Sequence, residues 1–266
     1  MLLIGGKFLA YTKGNSYFNF DGRSSRDFGI EVISTSGGMY EDILMASRSI
    51  NKSKPTGRIK SMLQSITEED IQFPLEIAFT NGFTDQLIED VVLWLKTPYY
   101  RPFYFEEQPN RLFNVMISDS SALIHNGLKE GYITLTAQTN SPRVYSPIKL
   151  TSKTEVTTTK NIEIVNNGHE TIYPEISLTI NDGTTVKLET LKENNEVENI
   201  FEIKNLTKGE DLYLNCYREI IESDIVGVYH YDDTVGHYPS FNRGKNILKI
   251  TGNCTIQLRY QEEYIF

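Results

Sequence analysis

Apolar and polar residues alternate strictly along several segments of this chain. In residues 71–79 an apolar side chain occupies every second position. Because successive side chains of a strand point to opposite faces of the sheet, this pattern predicts a β-strand that is buried on one side. Pro74 has no backbone donor, so we place this strand at a sheet edge or next to a bulge.

The same alternation closes the chain. Within residues 246–251 the apolar Leu248 and Ile250 alternate with polar residues. The alternation returns in residues 256–260, with Gly252 and Asn253 between the two segments. Glycine and asparagine favour turns. The pattern therefore predicts a hairpin that turns at these two residues and has one buried and one wet face.

One segment has helical periodicity instead. Thr84 precedes it as a typical N-cap, and Asp85 lies in its first turn. The residue before Pro98 avoids helical geometry, which ends the segment there. One helical face carries the apolar residues Leu87, Ile88, Val91, Val92 and Leu95. We expect this to be the main helix of the protein.

Shorter strand patterns, separated by glycine and asparagine turns, fill most of the remaining chain. They are residues 28–33, 102–105, 112–118, 132–137, 161–165, 172–180, 186–188, 199–203 and 211–216. A domain boundary is predicted within residues 140–147, which are rich in proline and serine and have no period. The expected fold is mainly β: a β-sandwich-like domain with one main helix at residues 1–142, and an antiparallel β-sandwich at residues 143–266.

Composition and charge narrow the function classes. At roughly 150 residues per domain, the 266 residues suggest two domains. The formal net charge is −9. That charge argues against coating nucleic acid or docking on an anionic membrane, since both need clustered lysine and arginine. No apolar run approaches the ~20 residues of a membrane span, and the first residues do not form a signal peptide. We therefore expect synthesis and folding in the cytoplasm.

The cysteines and histidines are the first candidates for chemistry. Cys216 and Cys254 either form a disulfide or are buried as small hydrophobic residues, and we favour the second interpretation. Segment 229–237 contains two histidines and two adjacent aspartates, a set that can hold a metal ion. Its spacing matches no established zinc pattern. We interpret it as a polar hairpin tip and expect neither a metal nor a cofactor.

Carboxylates occur as adjacent pairs at residues 68–69, 106–107 and 262–263. A glycoside hydrolase needs two carboxyl groups that face each other across a cleft, which neighbours in sequence do not provide. We interpret the pairs as solvated surface charge. No nucleotide-binding loop or nucleophile motif occurs either, so we expect no enzymatic activity.

Aromatic residues cluster in segment 99–105, directly after the predicted helix. Exposed, they form a platform on which a sugar or a partner protein can stack. Buried, they are part of the core. We favour the core, because most clustered aromatic side chains are buried.

Several segments carry motifs of one known family in the same order. Residues 18–32 combine an aromatic pair, an Asp-Gly turn and Phe-Gly-Ile; residues 93–95 are Leu-Trp-Leu; residues 166–176 run from Asn-Asn-Gly to Tyr-Pro-Glu-Ile. Residues 238–247 then contain Tyr-Pro-Ser-Phe and Gly-Lys-Asn-Ile, before the final strand at 256–260. On these motifs the chain resembles the distal tail proteins of long-tailed bacteriophages over nearly its whole length.

The resemblance implies a structural protein of the virion. Such proteins form a ring, usually a hexamer, at the tip of the phage tail, and are assembled in the cytoplasm of the bacterial host. The N-terminal domain builds the ring between the tail tube protein and the tail-associated hub protein. The C-terminal domain is a galectin-like β-sandwich that often docks receptor-binding or baseplate proteins. DNA passes through the lumen without specific binding.

Residues 34–66 have no clean period, and long irregular segments in compact domains usually have a function. In a ring, such a segment fits an arm that is buried only on assembly. We therefore predict an inter-subunit arm around residues 39–58. Its candidate residues are Met39, Tyr40, Ile43, Leu44, Met45, Arg48 and Arg58. We also hypothesise that an acidic lumen repels passing DNA within about one Debye length, ~8 Å at physiological salt.

Two alternatives to a ring subunit remain at this point. The first is a carbohydrate-binding module that recognises host-surface glycans through the C-terminal sandwich. The second is a glycan-cleaving enzyme, which requires two facing carboxylates in a cleft. Glycan binding by residues 148–266 favours the module, and a flat, polar outer face without exposed aromatic residues counts against it. A cleft with two facing carboxylates favours the enzyme.

Overall fold

The computed structural model describes residues 17–34, 46–118, 123–125 and 131–265. These residues form a mainly β protein with one α-helix, which confirms the predicted fold class. The chain separates into two compact units: the first runs to Tyr145 and also includes Ile265, and the second spans Ser146–Tyr264. The sequence pattern places the boundary between residues 142 and 143.

The first unit contains eleven strands and one α-helix among its described residues. They are β1 (Phe18–Phe20), β2 (Arg23–Ser24), β3 (Ile30–Val32), β4 (Arg48–Ser53), β5 (Met62–Glu68), β6 (Gln72–Phe79), α1 (Asp85–Leu95), β7 (Arg101–Phe105), β8 (Phe113–Ile117), β9 (Leu123–His125), β10 (Gly131–Thr139) and β11 (Arg143–Tyr145). A short 3-10 helix, Ser25–Phe28, follows β2.

One antiparallel sheet dominates this unit. Its strands follow the order β2-β1-β7-β8-β10-β6-β3, and β9 pairs with β10. The predicted strand at residues 71–79 is confirmed as β6. β3 covers only residues 77–79 of β6, so Pro74 lies where the far side of β6 has no partner among the described strands. A residue without a backbone donor is tolerated there.

The helix α1 is confirmed, with Thr84 as its N-cap: the Thr84 hydroxyl accepts a hydrogen bond from the Leu87 amide at 3.2 Å. Its buried face differs by a small rotation from the predicted one. Trp94 is buried and Val92 is half exposed. The reason is the indole of Trp94, which stacks on Phe28 at 4.5 Å between ring centroids and donates to the Phe20 carbonyl at 2.9 Å.

The aromatic residues that follow α1 divide between core and surface. Phe103 and Phe105 are fully buried, as predicted, whereas Tyr99 and Tyr100 are exposed. Alternation along β7 explains the buried pair, because both phenylalanines point to the same face. Tyr99 and Tyr100 precede β7, so they do not share its alternation, and their side chains lie outside the core.

The remaining strands belong to the C-terminal part of the chain. They are β12 (Lys149–Leu150), β13 (Thr154–Val156), β14 (Thr159–Asn166), β15 (Glu175–Lys192), β16 (Val197–Ile203), β17 (Asp211–Asn215), β18 (Ile220–Ser223), β19 (Thr234–Gly236), β20 (Gly244–Tyr260) and β21 (Glu263–Ile265). The antiparallel sheet of this unit has the order β12-β20-β15-β16-β19, with β13 and β14 on β20 and β17 on β15.

The predicted closing hairpin is wrong. β20 continues through Gly252 and Asn253 without a turn and runs antiparallel to β15 along nearly its whole length. Gly252 has φ +145°, and a Cβ atom there would lie 3.0 Å from the Thr185 carbonyl oxygen. Glycine is needed here because a neighbouring strand approaches closely, and not because the chain reverses.

The two long strands hold the core of the second unit together. The register between β15 and β20 shifts around Asp182, and such irregularities bend a strand, so the sheet curls over a single core. Cys216 and Cys254 are buried in that core as free thiols, which confirms the interpretation without a disulfide. Burial raises the pKa of Cys216 to about 12 and that of Cys254 to about 11.

Candidate functional site

Among the described residues, β4 and β5 stand apart from the large sheets. They pair only with each other and form a two-stranded hairpin. Ile50 lies directly opposite Ile66, and Leu63 pairs with Lys52 on the same face beyond a bulge. Ile50, Ile66 and Leu63 are 52%, 51% and 60% exposed. One face of this hairpin therefore presents apolar side chains to water.

The opposite face of the hairpin is polar. It carries Ser49, Asn51, Ser53, Ser65 and Thr67, with Met62 as an apolar exception. An isolated two-stranded hairpin is at best marginally stable in water, and exposed apolar patches commonly mark interaction sites. The hairpin has the amphipathic pattern of a strand pair whose apolar face is completed by another surface.

The hairpin is also basic. Lys52, Lys54, Arg58 and Lys60 are all exposed, and residues 49–67 contain no acidic residue. The rest of the chain has 22 basic against 35 acidic residues, a net charge of −13. The hairpin and the remainder of the protein therefore carry opposite charge.

An ion network fixes the base of the hairpin. The Glu68 carboxylate accepts hydrogen bonds from Arg143 and Arg48, with 2.6 Å between Arg48 Nη2 and Glu68 Oε1. The guanidinium of Arg143, followed by that of Arg48, holds the pKa of Glu68 below its ordinary value. The Glu69 amide donates to the Ser47 carbonyl at 2.9 Å. The hairpin is thus tied to β11, which carries Arg143.

The candidate arm residues fall partly on this hairpin. Met39, Tyr40, Ile43, Leu44 and Met45 lie outside the described residues. Arg48 lies in the ion network at the base of the hairpin, and Arg58 lies on its exposed tip. Their role between subunits stays a prediction.

Sequence reasoning missed the two strands inside the segment that it treats as irregular. The register of the hairpin shifts next to Asn51, and Gln64 is the unpaired residue of the bulge. A bulge inserts one extra residue into a strand, so beyond it the positions that face one side of the sheet change from odd to even numbers, or the reverse. The apolar residues Leu63 and Ile66 are three apart for this reason. A search that allowed one insertion would have found them on one face.

The histidine patch is not a polar hairpin tip, and that interpretation is wrong for His230. This side chain is buried, and its Nε2 atom lies 2.7 Å from Glu210 Oε1 while Nδ1 lies 3.1 Å from Asp233 Oδ2. The patch surrounds a 3-10 helix, Tyr231–Asp233, and His237 is exposed. The described residues contain no cluster that is able to hold a metal ion.

The buried group around Glu210 holds a loop together. Burial alone would raise the pKa of Glu210, but hydrogen bonds from the Ser223 hydroxyl, the Thr207 amide and His230 lower it below its ordinary value. A serine acts as a nucleophile when a neighbouring base, usually a histidine, accepts its proton. The Ser223 hydroxyl instead donates its hydrogen bond to the Glu210 carboxylate, so it lacks the arrangement of such a nucleophile. The arrangement links β17, β18 and the loop before β19.

The interpretation of the adjacent carboxylates as solvated surface charge is wrong for one residue, Glu262. Glu262 is buried and accepts from Lys149 at 2.5 Å, Glu106 accepts from Arg26 at 2.6 Å, and Glu68 lies in the network described above. Glu68 and Glu106 are partly exposed, and each pairs with an arginine at the surface. One glutamate of each pair therefore has a basic partner.

A polar groove of about 490 Å³ lies on the outer face of the second unit. Four paired strands contribute one row of side chains to it: Gln257, Ser177, Tyr213 and Glu222. Lys153, Asp211 and Asp224 also line it. The groove offers one aromatic ring, both signs of charge and amide donors and acceptors, a mixture suited to a hydrophilic ligand.

Comparison with known proteins agrees with this architecture. Residues 13–141 match a family model described as a phage tail protein N-terminal domain, and residues 145–260 match one described as a phage tail C-terminal domain. The SPbeta prophage-derived uncharacterized protein YomH of Bacillus subtilis strain 168 is 27% identical over 254 residues, which cover 94% of this chain and 98% of that protein.

Two solved structures share the fold. The Dit protein of phage SPP1, described as a paradigm of the hub adsorption apparatus in phages that infect Gram-positive bacteria, has a TM-score of 0.68 at 17% identity and covers 94% of this chain and 99% of its own. A chain of the phage P2 baseplate in its activated conformation with Ca has a TM-score of 0.50 at 10% identity and covers 93% of this chain and 97% of its own.

Within the described residues, the helix α1 is too short to cross a membrane.

Proposed function

The chain belongs to the phage tail protein family whose two domain models cover it, and from this we propose that it is a ring-forming structural subunit of the tail tip. The ring contains six copies and joins the tail tube to the hub or baseplate. The protein then resides at the tail tip of the virion and is assembled in the cytoplasm of the bacterial host. It works through its surfaces, without a cofactor and without catalysis.

The hairpin β4–β5 is the observation that carries this proposal. It presents an apolar face that its own chain leaves half exposed, and a polar face on the other side. A contact between this hairpin and a different surface of the next copy is heterologous, and heterologous contacts generate closed rings when the rotation between copies closes. Six such contacts make a hexamer.

Charge supports the same assignment. A basic hairpin on an otherwise acidic chain is attracted to another copy of that chain, and complementary charge also selects the partner. The remaining acidic surface is suited to a lumen through which DNA passes without binding, since like charges repel within about 8 Å at physiological salt. The tail tube protein, the hub protein and receptor-binding or baseplate proteins are the proposed partners at the two ends.

Removal of the hairpin tests the proposal. Arg48 and Glu68 are directly paired, so residues 49–67 can be replaced by an Asn-Gly turn that joins them and keeps the ion network with Arg143. We expect the wild-type chain to assemble and this variant to remain a monomer by native mass. The fluorescence of Trp94, the one tryptophan, is the folding control. A variant that is folded and still forms the full ring would overturn the proposal.

Recognition of a glycan is a second candidate function, which the groove around Tyr213 favours. A half-buried tyrosine ring flanked by Gln257, Glu222 and Lys153 provides a stacking surface and hydrogen-bonding groups for a saccharide. Binding of the full chain to purified cell-wall polysaccharide of a Gram-positive bacterium tests it. We expect Tyr213→Ala to abolish binding and Tyr217→Ala, at an exposed tyrosine outside the groove, to retain it. Equal binding by both variants would reject the groove as the site.

A further inference from the structure

The outer face of α1 is a second apolar surface exposed to water. Leu93 is 76% exposed and Val92 is 50% exposed, although they are neighbours of the fully packed Val91 and Trp94. The two neighbouring side chains form an apolar patch on the solvent side of a helix whose other face already fills the core, and such patches commonly mark interaction sites. This part of α1 is therefore available for a contact outside the chain.

The same face is acidic. α1 carries Asp85, Glu89 and Asp90 and no basic residue. Glu89 precedes Leu93 by four positions and Asp90 precedes it by three, so both carboxylates lie on the helical face of Leu93. The Gln86 side chain donates to Asp90 at 3.1 Å. The outer face of α1 is thus acidic towards its N-terminus and apolar towards its C-terminus.

The inner face holds α1 in a fixed position. Trp94 donates to the Phe20 carbonyl at 2.9 Å and stacks on Phe18 at 5.5 Å and on Phe28 at 4.5 Å between ring centroids. A helix anchored by one large side chain presents its outer face rigidly. Rigid, preformed surfaces lose less conformational freedom when they bind.

We propose that the outer face of α1 is the docking site for the hairpin β4–β5 of a second copy of this chain. Ile50, Ile66 and Leu63 of one copy cover Val92 and Leu93 of the next, and the lysines of the hairpin lie against the carboxylates of α1. The two surfaces match in character: each joins an apolar patch to a charged one, and the charges are opposite. Every copy has one hairpin and one α1, so each contact leaves a free hairpin and a free helix for the next copy.

This inference rests on the proposed ring and names the surface that receives the hairpin. It is tested by two charge-reversed variants: Lys52→Glu with Lys54→Glu on the hairpin, and Glu89→Lys with Asp90→Lys on α1. Alone, each variant places like charges against each other. We expect the concentration for half assembly to rise at least about tenfold, which corresponds to about 1.4 kcal/mol. Lys208→Glu with Arg218→Glu makes the same change of charge as the hairpin variant at another place on the surface and serves as its control.

Mixing the two variants gives the decisive result. In the mixture the two glutamates introduced in the hairpin of one variant meet the two lysines introduced in α1 of the other, and the unchanged hairpin meets the unchanged helix. We expect an equimolar mixture to assemble at the wild-type concentration, in rings with an even number of copies. A mixture that assembles no better than its components would overturn the docking site.

A cross-link checks the contact directly. Chains with Ile50→Cys are mixed with differently tagged chains that carry Leu93→Cys, and the mixture is oxidised. The native thiols add little background because both are buried. We expect a mixed dimer with Ile50→Cys and none with Ser49→Cys, whose side chain lies on the other face of the hairpin. Equal yields from both cysteines would contradict the proposed orientation.

These experiments distinguish a failure of the proposed docking site from a failure of the proposed ring. If deletion of the hairpin abolishes the ring while neither charge reversal has an effect, the ring stands and α1 is not its docking site. If the wild-type chain never assembles, the ring itself is wrong. Cross-linking of Leu93→Cys only to a different tail protein would assign α1 to that partner and overturn the inference.

Discussion

Ile50 and Ile66 lie directly opposite each other on β4 and β5, and about half of each side chain is exposed to water. Opposed β-branched residues stabilise a strand pair by contact with each other, but this pair has no core beneath it among the described residues. The two isoleucines form an exposed apolar surface on the hairpin, which the proposed contact with another copy would cover. The assembly proposal depends on this relationship.

Substitution of this pair separates assembly from folding. We expect Ile50→Thr with Ile66→Thr to raise the concentration for half assembly at least about tenfold, because the contact loses apolar area that is worth ~25 cal/mol per Å². Threonine favours strands, so the unfolding free energy should change by less than about 0.5 kcal/mol per site. Ser49→Thr with Ser65→Thr introduces the same residues on the polar face and should assemble normally. Equal loss in both variants would argue against a role of the apolar face.

Removal of His230 should destabilise the second unit. The substitution His230→Ala leaves the Glu210 carboxylate buried without one of its partners, and breaking a buried pair in this way costs about 3 kcal/mol. His237→Ala is the matched control, since His237 is exposed. Urea unfolding of both variants measures the difference. A loss below about 0.5 kcal/mol for His230→Ala would show that the Glu210–His230 contact adds little to stability.

Acid should destabilise the second unit through Glu210 and Glu262. Burial opposes the charged form of both groups, but their hydrogen bonds outweigh it and lower both pKa values in the folded chain. An unfolded glutamate has a pKa of about 4.3. The stabilisation is therefore present above about pH 4.3 and is lost as the pH falls through the lower folded values.

Urea midpoints at about pH 6, pH 4 and pH 3 measure this dependence. Glu262→Gln removes one of the two titrating groups, so its midpoint should fall less steeply between pH 4 and pH 3 than that of the wild type. Glu222→Gln changes an exposed carboxylate and should follow the wild type. A wild-type midpoint that rises with acid would contradict the assignment.

The cysteines should be inert in the folded protein. The thiolate is the reactive form, and burial raises the pKa of Cys216 to about 12 and of Cys254 to about 11. We expect no reaction with an aromatic disulfide reagent at about pH 8, and reaction of two thiols per chain after unfolding in guanidinium. Rapid labelling of the native chain would show that this core opens.

The strand pattern was readable from sequence where one face is buried. β6 and α1 follow directly from apolar periods of two and 3.6 residues, and the N-cap at Thr84 marks the start of the helix. Packing details were not readable. Trp94, and not the predicted Val92, is buried because its indole donates to the Phe20 carbonyl. Phe20 lies on β1, far away in the chain, so a local pattern does not reveal this contact.

Two features misled the sequence reasoning for opposite physical reasons. Glycine is common in turns, and it is also used where two strands approach closely, because in both cases it has no side chain to clash. Gly252 belongs to the second kind, since β15 lies close to β20 there. The hairpin β4–β5 has alternating faces, but its bulge at Gln64 interrupts the alternation. The segment predicted as an arm therefore contains two strands that its sequence pattern did not reveal, and its role between subunits stays a prediction.

Native mass of the purified 266-residue chain, measured over a range of concentrations, tests the central claim most directly. One copy has a mass of 30.5 kDa, so six copies give about 183 kDa. The account predicts a discrete ring species at this mass that is lost when residues 49–67 are replaced. A single species of 30.5 kDa at every concentration would contradict it.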